Sequence, residues 1–115
     1  MALAALLHSF YNGIENILKR IAIEVDGAVP SGEFWHRDLL DAMMRPGVSR
    51  PAAISEEVGG RLSEYLNFRH FFRHAYTFDV RWDRMRVLVS DCKPTFHRFE
   101  SELQNFLRQA PLGRE

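Results

Sequence analysis

Apolar side chains recur at positions 3, 6, 7, 10, 14, 17, 18, 21 and 25, the three-four spacing of one amphipathic helix over residues 2–25. Glu15, Asn16, Lys19 and Arg20 fall on its other faces. Gly13 costs about 1 kcal/mol against alanine inside a helix and is read as a point of close packing. Gly27 and Pro30 end the helix. A second, shorter helix is expected over residues 31–45, with Ser31 as its N-cap and Phe34, Trp35, Leu39, Leu40, Met43 and Met44 as its apolar content. Residues 46–51 are a loop by their proline and glycine. The third helix opens at Ser55, with Ile54 before it and Glu56 and Glu57 in its first turn. Val58, Leu62, Tyr65, Leu66, Phe68, Phe71 and Phe72 carry its buried stripe, and Gly59-Gly60 is expected to mark close packing or a slight bend.

Thr77-Phe78-Asp79 interrupts that pattern, and a fourth helix is expected from Val80 or Arg81 with Trp82, Met85, Leu88 and Val89 inward. Pro94 then either kinks one long helix or starts another, whose stripe is Phe96, Phe99, Leu103, Phe106 and Leu107. Pro111 and Gly113 mark a loose tail. No stretch alternates with period two and no internal repeat is visible, so the expected architecture is an all-α, up-and-down bundle of four or five helices in a single domain, 1–115.

Composition narrows the class. With 46% apolar and 26% charged residues, the chain has the profile of a soluble globular protein. Its formal net charge is zero, which removes any bulk electrostatic case for nucleic acid. Residues 61–86 nonetheless hold six arginines (61, 69, 73, 81, 84 and 86) against Glu64, Asp79 and Asp83, a local field able to steer an anion. A single Cys92 excludes an intrachain disulfide and a thiol metal site, and reads as a small buried residue. The apolar start lacks a basic n-region and is interrupted by His8, Asn12, Glu15 and Asn16, so it does not read as a signal peptide. No run is long enough to span a membrane, and a cytoplasmic location is expected.

The chemistry concentrates in Asn67-Phe68-Arg69-His70-Phe71-Phe72-Arg73-His74-Ala75-Tyr76. Arginine offers a permanently charged planar fork that matches phosphate oxygens, and histidine moves protons near neutrality. On a helix Arg69, Arg73 and Tyr76 form one row and His70 and His74 the adjacent one. Arg69 and His74 point about 140° apart on an ideal helix. They meet on one phosphate if the helix ends near His74, or if a second copy of the chain supplies the partner. Other readings of the same residues are a solvated face, or a metal pair at His70 and His74 with Asp79 in reach.

Arg69, four residues, His74, one residue, Tyr76 resembles the Arg-x4-His-x-Tyr signature of the HepT-like toxins, a branch of the HEPN superfamily. His70 fills the polar slot directly after the arginine, and Leu6-Leu7-His8-Ser9-Phe10-Tyr11-Asn12-Gly13-Ile14-Glu15-Asn16-Ile17-Leu18 resembles the first helix of one HepT-like subgroup. The resemblance implies a metal-independent endoribonuclease acting as a homodimer, without cofactor, in which two such motifs face each other across a cleft. Arg69 would hold the scissile phosphate, and His74 would act as base on the ribose 2′-hydroxyl or acid on the leaving oxygen. His70 would assist, and Arg73 would bind a flanking phosphate. Attack by the 2′-hydroxyl restricts the substrate to RNA, most readily a single strand. The resemblance further implies a minimal nucleotidyltransferase antitoxin that transfers AMP onto Tyr76, adding charge and bulk beside His74.

Two alternatives stand beside this reading. One is a non-catalytic nucleotide- or partner-binding module of a nucleotidyltransferase pair, and the other an inert structural bundle. Trp35, Trp82 and the methionines are expected in the core, and His8, His36 and His97 as surface or satisfied helix residues.

Overall fold

The computed structural model describes the backbone of residues 2–74 and 82–109, and the side chains of residues 5–69 and 83–109. Four α-helices account for it: α1 (Ala2–Ile21), α2 (Trp35–Met43), α3 (Glu56–His74) and α4 (Trp82–Gln109). No strand occurs among the described residues. The long helices α1, α3 and α4 pack on one another, and the short α2 lies against α1 and α3. Their shared core is built on Tyr11, Ile14, Leu18, Leu39, Leu40, Met43, Val58, Leu62 and Phe99, all essentially without solvent contact. No described helix is long and apolar enough to cross a membrane.

The first helix ends by widening into a single π-helical turn, Ala22–Asp26. Gly27 closes it at φ +89° with its N–H bonded to the Ala22 carbonyl, a left-handed position that suits glycine. The second helix starts four residues later than its expected beginning at 31. Gly32 stands at φ +107° and turns the chain, so Ser31 caps nothing and α2 begins after Phe34 with no side-chain cap. Ser55 does cap α3, accepting the Val58 N–H at 3.1 Å. In a capping box the helix's own third residue would bond back to the cap N–H. Here Glu102 of α4 takes that part, accepting from the Ser55 N–H and Oγ at 2.7 Å each. Pro94 lies inside α4, which runs through it as one helix. The apolar stripe beyond it is split: Phe99 and Phe106 are buried, while Phe96 and Leu107 are exposed.

Tyr65 fixes α3 to α4 through its hydroxyl, which donates to the Leu88 carbonyl at 2.7 Å, and burial pushes its phenol up to about 12. Cys92 is half-buried, and desolvation raises its thiol.

The two adjacent glycines of α3 do different things. A Cβ on Gly59 would overlap Sδ and Cγ of Met44, so α3 approaches the end of α2 closely at that position. Gly60 has nothing within 4 Å of a Cβ, and neither does Gly13, which corrects the expectation of close packing there. Gly60→Ala should therefore stabilise the protein by about 1 kcal/mol through helix propensity. Gly59→Ala should destabilise it by about 1–3 kcal/mol through overpacking, partly relieved by Met44→Ala. Urea melts of the two single variants check this, and shifts of equal sign would contradict it.

Candidate functional site

Arg69 belongs to the second half of α3, yet its side chain is only 8% exposed. A helix row of arginine and histidine would ordinarily face water, but α1 and α2 lie over this part of α3 and enclose the guanidinium. Burying a cation without partners is costly, so the residues covering it are polar where they touch it. Nη1 donates to Asn12 Oδ1 at 3.0 Å, and Nη2 lies 3.8 Å from Glu15 Oε1. The guanidinium also stands 5.4 Å from the centroid of the Tyr11 ring. Glu15, expected on a polar face of α1, is thus a buried residue facing Arg69 across the bundle. These three residues of α1 lie within the segment that carried the first-helix resemblance.

His36, in the first turn of α2, completes the cluster. Its Nδ1 is 2.6 Å from Glu15 Oε2 and 3.0 Å from Arg69 Nη2. A ring nitrogen that donates has no lone pair left for a second donor. The shorter contact to a carboxylate therefore assigns the proton to Nδ1, donating to Glu15, and leaves the lone pair on Nε2. The ring is stacked on Trp35 at 3.7 Å between centroids, and Lys19 Nζ lies 5.1 Å from the centroid of Trp35. Beside it Arg37 ties α2 to α3, donating to Ser63 Oγ and Asn67 Oδ1 at 2.6 Å each.

These side chains wall an open recess of about 300 Å³, lined by Glu33, Phe34, His36, Arg37, Leu66, Asn67 and Arg69. Phe34 stands at its rim, 69% exposed. The Tyr11 hydroxyl is buried nearby with no hydrogen-bond partner among the described residues, and burial and then the Glu15 carboxylate push its phenol upward. The cluster can hold an anion or a polar ligand edge against two guanidinium groups and an imidazole. Among the described residues, no three of His, Cys, Asp and Glu are grouped as metal ligands would be.

Of the residues singled out from the sequence, Arg69 is in this cluster. His70, Arg73 and His74 continue α3, with side chains outside the described residues, and Tyr76 lies outside them altogether. Sequence reasoning missed Asn12, Glu15 and His36 as site residues. For Glu15 a signal existed: it sits beside Ile14 and between Tyr11 and Leu18 on the buried stripe, where an acid needs a partner. His36 carried no such signal.

A family model described as HepT-like protein matches residues 2–110, nearly the whole chain. No curated protein and no solved structure matches it.

Proposed function

The chain belongs to the HepT-like family, and from that premise we propose that it is the ribonuclease toxin of a toxin–antitoxin pair, cutting single-stranded RNA without a metal. The observation that supports this most is the placement of Arg69, the arginine of the motif, in the wall of an open recess beside an imidazole. Arginine has five N–H donors; Nη1 donates to Asn12 and Nη2 lies within ion-pair distance of Glu15, so the fork retains donors for a phosphate. In this reading Arg69 holds the scissile phosphate and stabilises its developing charge, and His74 transfers a proton during attack by the 2′-hydroxyl. His70 assists, and Arg73 takes a flanking phosphate. A homodimer places one protomer's motif against its partner's, and a two-fold axis removes the 140° divergence expected of Arg69 and His74 on one helix. A minimal nucleotidyltransferase antitoxin silences the site by placing AMP on Tyr76, and the pair works in the cytoplasm.

The test is cleavage of single-stranded RNA in excess EDTA. The wild-type chain should cleave, and His74→Ala should lose about 10²–10⁴-fold in rate while keeping its helical circular dichroism. Undiminished cleavage by both His74→Ala and Arg69→Ala would end the proposal. A second reading, a non-catalytic nucleotide- or partner-binding module, draws support from the fact that Arg69 is already paired inside the chain. It predicts nucleotide or partner binding with no cleavage at any protein concentration.

A further inference from the structure

We propose that His36 is a proton-transfer residue of this site, with Glu15 fixing its ring through Nδ1 so that Nε2 takes the 2′-hydroxyl proton of an RNA strand held at Arg69. The proposal rests on the ribonuclease reading and adds a base that the Arg-x4-His-x-Tyr motif does not contain.

Two constraints hold the imidazole in one orientation. Glu15 accepts from Nδ1 at 2.6 Å and the Trp35 ring stacks on its face at 3.7 Å, while the Arg69 guanidinium, a donor that this tautomer leaves unbonded to the ring, stands 3.0 Å away. The Glu15 side chain is 5% exposed and that of His36 32%, so the carboxylate sits behind the ring, away from solvent, while the ring itself lines the recess. A carboxylate behind an accessible imidazole sets the tautomer that leaves Nε2 basic, and it steadies the positive ring that forms when Nε2 takes a proton. A histidine kept for packing alone needs neither the buried acid nor the opening. Among the described residues, the charged groups around the ring include Glu15 from α1, Arg69 from α3, and Glu33 and Arg37 on the recess wall, with Lys19 over Trp35.

The 2′-O–H bond breaks and its proton passes to Nε2, while the 2′-oxygen pair forms the bond to phosphorus. The bond from phosphorus to O5′ breaks with its pair on O5′, which takes a proton from His74. The products are a 2′,3′-cyclic phosphate and a 5′-hydroxyl end; the His36 ring then returns its proton to solvent, and His74 takes one up from solvent. Arg69, at 3.0 Å from the same imidazole, is placed to hold the phosphate oxygens during the attack.

His36→Asn is the informative variant, because its amide nitrogen still donates to Glu15 while the basic Nε2 is gone. Its kcat on single-stranded RNA should fall about 100-fold or more with KM within about twofold, and one limb of the kcat–pH profile should disappear. Glu15→Gln, a change at a positioning residue, should move that limb rather than remove it. Wild-type rate and an unchanged pH profile in His36→Asn, beside an inactive His74→Ala, would overturn this inference and leave the ribonuclease reading standing. A wild-type chain that cleaves nothing overturns both. A second readout does not need turnover: titration with an oligoribonucleotide carrying a methylene in place of the scissile O5′, which keeps its 2′-hydroxyl but cannot be cleaved, should shift the His36 Nε2 resonance in nitrogen NMR. An unmoved resonance at saturation would overturn the role of His36 by itself.

Discussion

Glu15→Leu is expected to destabilise the protein by about 3–5 kcal/mol, the range for breaking a buried ion pair by removing one partner. The size comes from what is left behind. Arg69 keeps its charge, stays 8% exposed, and loses the carboxylate at 3.8 Å, while His36 loses its acceptor at 2.6 Å. Among the described residues no other acid lies within ion-pair distance of the guanidinium: Asn12 and the Tyr11 face supply dipole and quadrupole, not charge. Glu15→Leu combined with Arg69→Met should therefore be more stable than Glu15→Leu alone, since the double variant leaves no stranded cation. A double-mutant cycle by urea unfolding measures this directly, with a coupling of about 1–3 kcal/mol expected between the two positions. Additive single effects would mean that the two groups do not sense each other in the folded protein. The same pair bears on the proposed function, because a guanidinium held by Glu15 and Asn12 is oriented before any ligand binds.

Arg50→Ala is the second large loss expected, about 3 kcal/mol, which for a domain of this size lowers the melting temperature by more than about 10 °C. The Arg50 side chain is 2% exposed, although it lies in a loop. Its Nε and Nη2 grip both oxygens of Asp26 at 2.7 and 2.9 Å, so the π-helical end of α1 is bound to the α2–α3 connection. Nη1 donates to the carbonyls of Arg45 and Pro51 at 3.0 and 2.9 Å, which closes the loop on itself. Gly47 permits this geometry, because a Cβ there would come within 2.9 Å of Arg50 Nε. Arg50→Lys should recover little of the loss, since a lysine ammonium has no planar fork to meet two carboxylate oxygens and two carbonyls at once. Thermal melts of the two variants, read with protease cleavage between residues 44 and 53, test the account. A lysine variant as stable as wild type would refute the bidentate argument.

The elements were readable because their signals are local. The three-four spacing marked α1, α3 and α4, and Ser55 marked the start of α3 within one residue. α2 was placed but begun too early, since nothing in Ser31-Gly32-Glu33 distinguishes a cap from a turn until the backbone of Gly32 is seen. Pro94 left two outcomes open, and the continuous packing of Thr95, Phe99 and Phe106 on the core selects a single helix.

By itself, the sequence determined an all-helical chain, its order of helices, its family resemblance and the position of the motif arginine on α3. All of these follow from residues within a few turns of one another, where helix geometry makes spacing meaningful. Only the tertiary structure decided that Arg69 faces Asn12, Glu15 and His36, partners 57, 54 and 33 positions away along the chain. It also decided that Arg50 holds Asp26 and that Glu102 completes the cap of Ser55. Contacts of that range leave no periodic trace, because they depend on how helices are laid against each other rather than on any one helix. An acid on a buried stripe shows that a partner is required, and the packed bundle shows which one it has.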